Sequence, residues 1–314
     1  MYYIIMNPSS SSGQGLRIWK QLEPVFQKRK IPYRLMFSTH NGHIAELAAE
    51  VTSSDTPVNL IILGGDGTIN EALQGIRDFS KVNIGFIPTG SGNDLARDMR
   101  LGKDPLKILE SILDKNISRR VDLGKLTVNN SVKKGGEDAP DSRFFVVSSG
   151  IGFDAAVCEE ALSSRLKDVL NKLKLGKLTY LGIALKQLIA AKDVSCDLYL
   201  DDKEPIHLDR FLFSAFMIHR YEGGGFNFCP DADSKDGLLD VCLVGHLPKP
   251  VIFLALPTAF FGKHYLFPQI FHYRAARIEI RTSAPLWIHT DGEVHYKSDH
   301  ICLSCEKQKI RFLA

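Results

Sequence analysis

The amino-terminal third of the chain alternates short apolar runs with amphipathic helical patterns. Tyr2–Met6, Tyr33–Phe37 and Leu60–Leu63 read as strands, separated by helical periodicity over Leu16–Lys28 and Gly42–Thr52. The alternation continues with a helix over Ile69–Ile76, a strand over Asn83–Ile87, and helices over Asp94–Met99 and Pro105–Asp114. Strands joined one after another by helices must lie parallel, with helices covering both faces of the sheet. The expectation is a three-layer α/β domain over residues 1–122.

The pattern stops near Val121. Beyond it, period-2 alternation marks strands over Gly124–Val128, Arg143–Ser148, Asp197–Leu200, Ile206–Ile218, Leu239–Val244, Arg277–Arg281 and Ile301–Leu303. These predict a second, β-rich and sandwich-like domain over residues 123–304, crossed by helical stretches near Ala155–Ala191 and Lys249–Tyr265.

Among 314 residues, 39 Lys plus Arg against 36 Asp plus Glu leave a net charge of +3, which gives no case for a nucleic-acid partner. The longest apolar run, Val251–Phe261, contains Pro257 and falls short of the roughly 20 residues that cross a bilayer. The first residues, MYYIIMNPSS, lack a basic segment and read as a strand rather than a secretory signal. Six scattered cysteines do not make a disulfide scaffold, so a reducing, cytoplasmic compartment is expected.

The strongest chemical signal is Asn59–Glu71, NLIILGGDGTINE, an apolar strand entering a glycine turn that opens a helix. Such a turn aims backbone N–H groups and a positive helix end at a phosphate. It is not a Walker A loop, and Asn70 stands where a Rossmann fingerprint needs its third glycine. Asp66 inside the turn would repel a phosphate unless a divalent cation or a proton lay between them. A second turn, Pro88–Asp94 (PTGSGND), follows the next strand, and a third, Asn7–Gly13 (NPSSSSG), follows the first. All three would meet at the carboxyl edge of one parallel sheet, where open α/β folds bind ligands. Ser91 offers a hydroxyl, while Asn93 and Asp94 also suit a helix N-cap.

Asp291 and Glu293 flank Gly292 in a segment read as extended, which would put both carboxylates on one side. In such a pair one group orients while the other, its pKa raised by the like charge, accepts a proton. Asp236-Gly237 is by itself a common turn signal. Cys302 and Cys305 lack partners for a zinc site, and His289, His295 and His300 read as packed or solvated. The Lys133–Ser142 stretch reads as a hairpin tip. Arg165, Lys167, Lys172, Lys174 and Lys177 form a basic helical stretch, either a solvated face or a contact for anionic headgroups.

Taken together, NPSSSSG, GGDGTINE and PTGSGNDLAR closely resemble the bacterial lipid kinases of the diacylglycerol kinase catalytic-domain superfamily. The resemblance continues through Gly150–Ala155 (GIGFDA), Pro230–Asp240 (PDADSKDGLLD) and Thr290–Glu293 (TDGE), in the family's order. It implies a nucleotide domain of the NAD kinase and phosphofructokinase type, with a last strand near residues 305–314 returning to it. It implies an ATP site lined by Asn7, Pro8, Ser9, Gly13, Thr39, Gly64, Gly65, Asp66, Gly67, Thr68, Ile69, Asn70, Ser91, Asn93 and Asp94. It also implies a magnesium ion held by Asp233, Asp236 and the backbone of Leu238. Catalysis would fall to Asp66 and the DGE carboxylates, with Glu293 favoured over Asp291 as proton acceptor. The implied activity is ATP-dependent phosphorylation of a lipid hydroxyl, diacylglycerol foremost, giving phosphatidic acid. The enzyme would work peripherally at the inner face of the membrane, with no nucleic acid involved and a homodimer allowed. The rival readings are phosphorylation of a soluble acceptor, as in NAD kinases, and a non-catalytic lipid- or nucleotide-binding regulator.

Overall fold

The computed structural model describes residues 1–8, 13–90, 92–114, 118–130, 132–133, 141–163, 182–183, 186–188 and 194–314. Strands β1 (Tyr2–Met6), β2 (Tyr33–Phe37), β3 (Val58–Gly64) and β4 (Val82–Pro88) form a parallel sheet in the order β2-β1-β3-β4. The sheet is extended by β18 (Ile310–Leu313), parallel to β4, and closed by the antiparallel β5 (Ser118–Val121). β3 is buried at six of its seven positions because helices cover both faces, which is why it reads as an unbroken apolar run.

Helix α1 (Gln14–Lys28) turns Ile18, Trp19, Leu22 and Phe26 onto one face of this sheet, beside α5 (Pro105–Asp114) with Ile108, Leu109 and Ile112. α2 (His43–Val51) and α3 (Asp66–Gly75) cover the other face. The short α4 (Asp94–Asp98) follows β4. α3 begins three residues earlier than the periodicity predicts, so Asp66 and Gly67 belong to its first turn.

The second sheet is antiparallel. It is built from β6 (Gly124–Asn129), β7 (Val132–Lys133), β8 (Ser142–Phe145), β9 (Ser148–Gly152), β10 (Val194–Leu200) and β11 (Ile206–Met217), with β14 (Leu239–Gly245), β15 (Ile270–Ala275), β16 (Arg277–Thr290) and β17 (Glu293–Cys305). A separate small ribbon pairs β12 (Tyr221–Glu222) with β13 (Phe226–Asn227). α6 (Phe153–Ser163) follows β9, and α7 (Lys249–Ala259) lies between β14 and β15. β16 pairs with β10 through Ile278–Thr282, breaks register, and then pairs with β9 through Ile288–Thr290. β16 thus changes its neighbour along its length.

One apolar core joins the α2/α3 side of the first sheet to the second, running from Leu73 and Phe79 to Leu126, Phe145 and Tyr296. Phe79 and Phe144 meet edge to face at 5.4 Å across this seam.

Two expectations are corrected here. The strand read over Arg143–Ser148 is interrupted at Val146 and Val147, whose N–H groups turn from sheet pairing to the Asp291 carboxylate. The helix read to Tyr265 ends at Ala259, and His264–Leu266 forms a separate 3₁₀ turn. Ser9, Ser91, residues 134–140 of the hairpin tip and the basic stretch Arg165–Lys177 lie outside the described residues. No helix among the described residues is long and apolar enough to cross a membrane.

Candidate active site

The two glycine turns interlock at the carboxyl edge of the parallel sheet. The Thr89 N–H donates to Gly64 O at 2.8 Å, and a Cβ on Gly90 would lie 3.0 Å from the Gly65 Cα. Only residues without side chains let the two turns approach this closely. Within them, Asp66 Oδ2 accepts the Asp94 N–H at 2.9 Å, while Asp66 Oδ1 is buried with no hydrogen-bond partner. Burial and the like charge of Asp94 push the Asp66 carboxyl up to about 7. A buried carboxylate oxygen without a donor fits a cation or a proton, as the repulsion argument requires.

Asp94, 5% exposed, is also raised by burial. It is pinned by Arg97 and by the Gly224 N–H, which donates to Oδ2 at 2.7 Å. The Arg97 and Arg220 guanidiniums lie 5.7 and 5.6 Å from the Tyr221 ring centroid, and Arg220 is itself paired with Asp98.

Across the seam stands the β16–β17 hairpin. Its two-residue loop has φ +49° at Asp291 and +84° at Gly292, the pattern of a type I′ turn. This corrects the extended reading, so the two carboxylates do not share a side by strand alternation. The Asp291 carboxylate accepts from the Val146, Val147 and Ser148 N–H groups at 3.1, 2.8 and 2.9 Å and from Asn70 Nδ2 at 2.8 Å. Four donors tie it to the 146–148 turn and to Asn70, so it anchors the hairpin, while burial raises its pKa. Glu293 is placed differently. A Cβ built on Gly67 would lie 2.6 Å from Glu293 Oε1, so the carboxylate occupies the space that the missing side chain leaves over the GGDG turn.

Gly64, Gly65, Asp66, Gly67 and Asp94 thus converge with Glu293. Thr68 packs its side chain over Gly64. Ile69 and Asn70 do not line the site: both are 0% exposed, because helical periodicity turns them inward. Ile69 joins the core, and Asn70 links Asp291, the Phe144 carbonyl and Arg143 Nη2, the last at 3.0 Å. Asn93 sits at the N-cap of α4 with φ +50°, yet its side chain makes no cap and instead closes its own turn onto Gly90 O. Asn7, Pro8 and Gly13 border the loop after β1, and Thr39 lies beyond β2 with its hydroxyl 3.0 Å from both His40 and His43 Nδ1.

The side chains of the expected magnesium set are engaged within the chain. Asp236 Oδ1 accepts the Leu238 N–H at 2.9 Å, and its other oxygen is paired with Arg274. Asp233 is spent on its own turn, taking the Lys235 N–H on its carbonyl at 2.7 Å. The neighbouring Asp122, 0% exposed, accepts the Gly237 N–H at 2.8 Å and faces Lys309 Nζ at 2.6 Å. Cations of the chain itself already neutralise this loop.

Sequence reasoning missed Arg143, Arg97 and the ribbon residues Glu222 and Gly224. Arg97 was legible as the basic residue three after Asp94. Arg143 and the ribbon belong to no local pattern and are brought in by the fold.

Residues 1–126 match the family described as the diacylglycerol kinase catalytic domain, and residues 146–306, more than half of the chain, match the YegS C-terminal NAD kinase beta sandwich-like domain. A Bacillus subtilis protein named "Putative lipid kinase YtlR" is 27% identical over 297 residues, covering 93% of each chain. A Mycobacterium tuberculosis diacylglycerol kinase is 28% identical over 79% of this chain and 73% of its own. A Bacillus anthracis crystal structure titled "putative diacylglycerol kinase" superposes with a TM-score of 0.75 at 20% identity, covering 99% of this chain and 96% of that one. With an α/β first domain, a β-sandwich second domain and both family matches in register, the chain belongs to the diacylglycerol kinase-like family of lipid kinases.

Proposed function

We propose that this kinase transfers the γ-phosphate of ATP to a lipid hydroxyl, with diacylglycerol as the acceptor and phosphatidic acid as the product. The observation that carries the reading is Glu293 Oε1 lying over Gly67, beside Asp66 and its unpartnered oxygen. A proton acceptor and a phosphate turn then share one cleft. In this reading residues 1–122 with β18 bind the nucleotide and residues 123–304 bind the acceptor.

The interlocked turns present backbone N–H groups to the triphosphate, with Arg97 beside them. Asp66 Oδ1 is the atom suited to the magnesium that accompanies ATP, which would neutralise phosphate charge. Glu293 takes the hydroxyl proton as the acceptor oxygen bonds to the γ-phosphorus and ADP departs. Asp291, Asn70 and Arg143 hold the hairpin so that Glu293 keeps its place.

An insoluble acceptor calls for a membrane-facing surface. Phe253, Leu254, Phe260, Phe261 and Leu266 are exposed on α7 and the turn after it, with Lys249 and Lys263 at either end. Residues 241–278 contain no Asp or Glu, so the segment itself brings no negative charge to anionic headgroups. A groove of about 530 Å³ beside it is lined by Pro230, Gly262, Tyr265, Ile270, Phe271 and Tyr273, with Asp231 and His272 as its polar members. Phe260 stacks on Phe226 at 4.0 Å, and Phe226 leads through the Gly223–Gly225 loop to Asp94, a path from this face to the phosphate turns.

The test is phosphate transfer from labelled ATP to a panel of dispersed lipids and to NAD. Labelled phosphatidic acid is expected. Label on NAD alone would establish the soluble-acceptor reading, and label on neither would establish the regulator. Changing Leu254 and Phe261 together to Ser should lower activity on anionic vesicles while sparing activity on detergent-dispersed lipid.

A further inference from the structure

We propose that His289, held by Asp154 and Glu222, is a positioning residue that sets the Glu293 turn and ties it to the glycine loop touching Asp94. This rests on the reading of Glu293 as proton acceptor. The three side chains form a cluster buried where β16, the start of α6 and the β12–β13 ribbon meet, and each is less than a tenth exposed. His289 Nε2 lies 3.2 Å from Asp154 Oδ2 and 3.1 Å from Glu222 Oε1. Its other ring nitrogen, Nδ1, accepts the Gly292 N–H at 3.2 Å.

The room for this cluster is made by Gly150, where a Cβ would lie 2.0 Å from Asp154 Oδ2 and 2.5 Å from His289 Nε2. The GIGFDA and TDGE segments, far apart in sequence, are therefore one structural unit: the first supplies the space and Asp154, the second the histidine's partner and the base.

The hydrogen bonds assign the ring's protons. Nδ1 can accept from Gly292 only when it is bare, so Nε2 carries the proton and shares it between the two carboxylates. Burial works against a second proton on the ring and Glu222 and Asp154 favour one and outweigh it, but that proton on Nδ1 would point at the Gly292 N–H, so the contact geometry holds a single proton, on Nε2. Three ligand-type atoms this close also fit a divalent cation in principle. A metal on Nε2, however, would require a proton on Nδ1, pointed at the Gly292 N–H, and the geometry rejects that.

The cluster connects the two halves of the reaction. Through Nδ1 it fixes the backbone one residue before Glu293. Through Glu222 it holds the ribbon whose Gly224 N–H binds Asp94 Oδ2 at 2.7 Å. His289 touches neither reacting group and acts through both.

The test compares His289→Asn with His289→Gln in the full chain. The Asn oxygen falls where Nδ1 lies and still accepts from Gly292, whereas the Gln amide replaces Nε2 and leaves Gly292 without a partner. His289→Gln should lower kcat about 30-fold with KM for ATP changed less than about twofold, and His289→Asn should retain kcat within about fivefold. In a Glu293→Gln background His289→Gln should add no further loss, since both act on one step. Equal losses in the two His289 variants, or fully additive losses with Glu293→Gln, would overturn the proposal. If Glu293→Gln alone keeps full activity, the proton-acceptor reading fails first and this inference falls with it. Melting curves are recorded for each variant. Should a His289 variant not fold, Glu222→Ala, which frees the ring to turn Nδ1 away from Gly292, replaces it, expected to lower kcat with ATP binding intact and refuting the proposal if kcat holds. A stoichiometric zinc or manganese ion in the purified protein, lost in Asp154→Asn, would show a metal site instead.

Discussion

Two groups of carboxylates, Asp66 with Asp94 and Asp122 with Asp236, sit in comparable turns yet are built to opposite plans. Around Asp122 and Asp236 the charges are met: Lys309 and Arg274 pair them, and the Gly237 and Leu238 N–H groups complete them. Lys309 precedes β18, so this saturated group fastens the returning strand to the second domain. In the other group Arg97 and the Gly224 N–H meet Asp94, but Asp66 is left short, with one oxygen buried and unpartnered and the carboxyl raised to about 7. A fold tolerates such a deficit where a ligand completes it. The difference separates a fastening from a site, although both look like Asp-Gly turns in sequence.

The sharpest way to break the comparison is Asp66→Asn, which keeps an acceptor for the Asp94 N–H and removes the charge. Turnover should fall by about 10³-fold or more, measured as kcat with labelled ATP. Stability should move the other way. The folded carboxyl is raised from 3.8 to about 7, so its ionisation weakens the fold above pH 7 and costs nothing below pH 4. The variant should therefore melt higher than the parent at pH 8, by at most about 4 kcal/mol, and equally at pH 4. A lower melt at pH 8 would show that Asp66 is structural.

Glu293→Gln should lower kcat by about 10² to 10⁴ while ATP affinity, read by nucleotide titration, stays nearly constant. Loss of ATP binding instead would move Glu293 into the nucleotide site. Gly67→Ala is gentler. Its Cβ meets only the end of a flexible side chain, so kcat should fall roughly tenfold with little change in melting.

The smallest effect on catalysis belongs to the saturated group. Lys309→Met strands Asp122 and should destabilise the chain by about 3 kcal/mol in urea unfolding, with kcat unchanged. A fall in kcat without loss of stability would make the 233–238 loop part of the catalytic centre and dissolve the distinction.

The first sheet was legible because its strands are covered on both faces and its helices carry one apolar stripe, so each element's periodicity reports its own burial. The glycine turns were legible for the same local reason, since a phosphate turn after a strand needs its glycines at fixed offsets. The hairpin was less so. The sequence showed Asp291 and Glu293 two apart but not the left-handed turn between them, because the backbone there is set by three N–H groups from residues 146–148. By itself the sequence determined the layer order of the first domain, the glycine turns and the family, all of which rest on neighbours a few residues apart. Only the tertiary structure decided that Asn70 faces Asp291 rather than a nucleotide, that Arg274 and Lys309 occupy the acidic loop, and that His289 joins Asp154, Glu222 and Gly292. All but the contact of His289 with Gly292 join residues more than 30 apart in the chain, and burial of the polar groups, not local propensity, selects their partners.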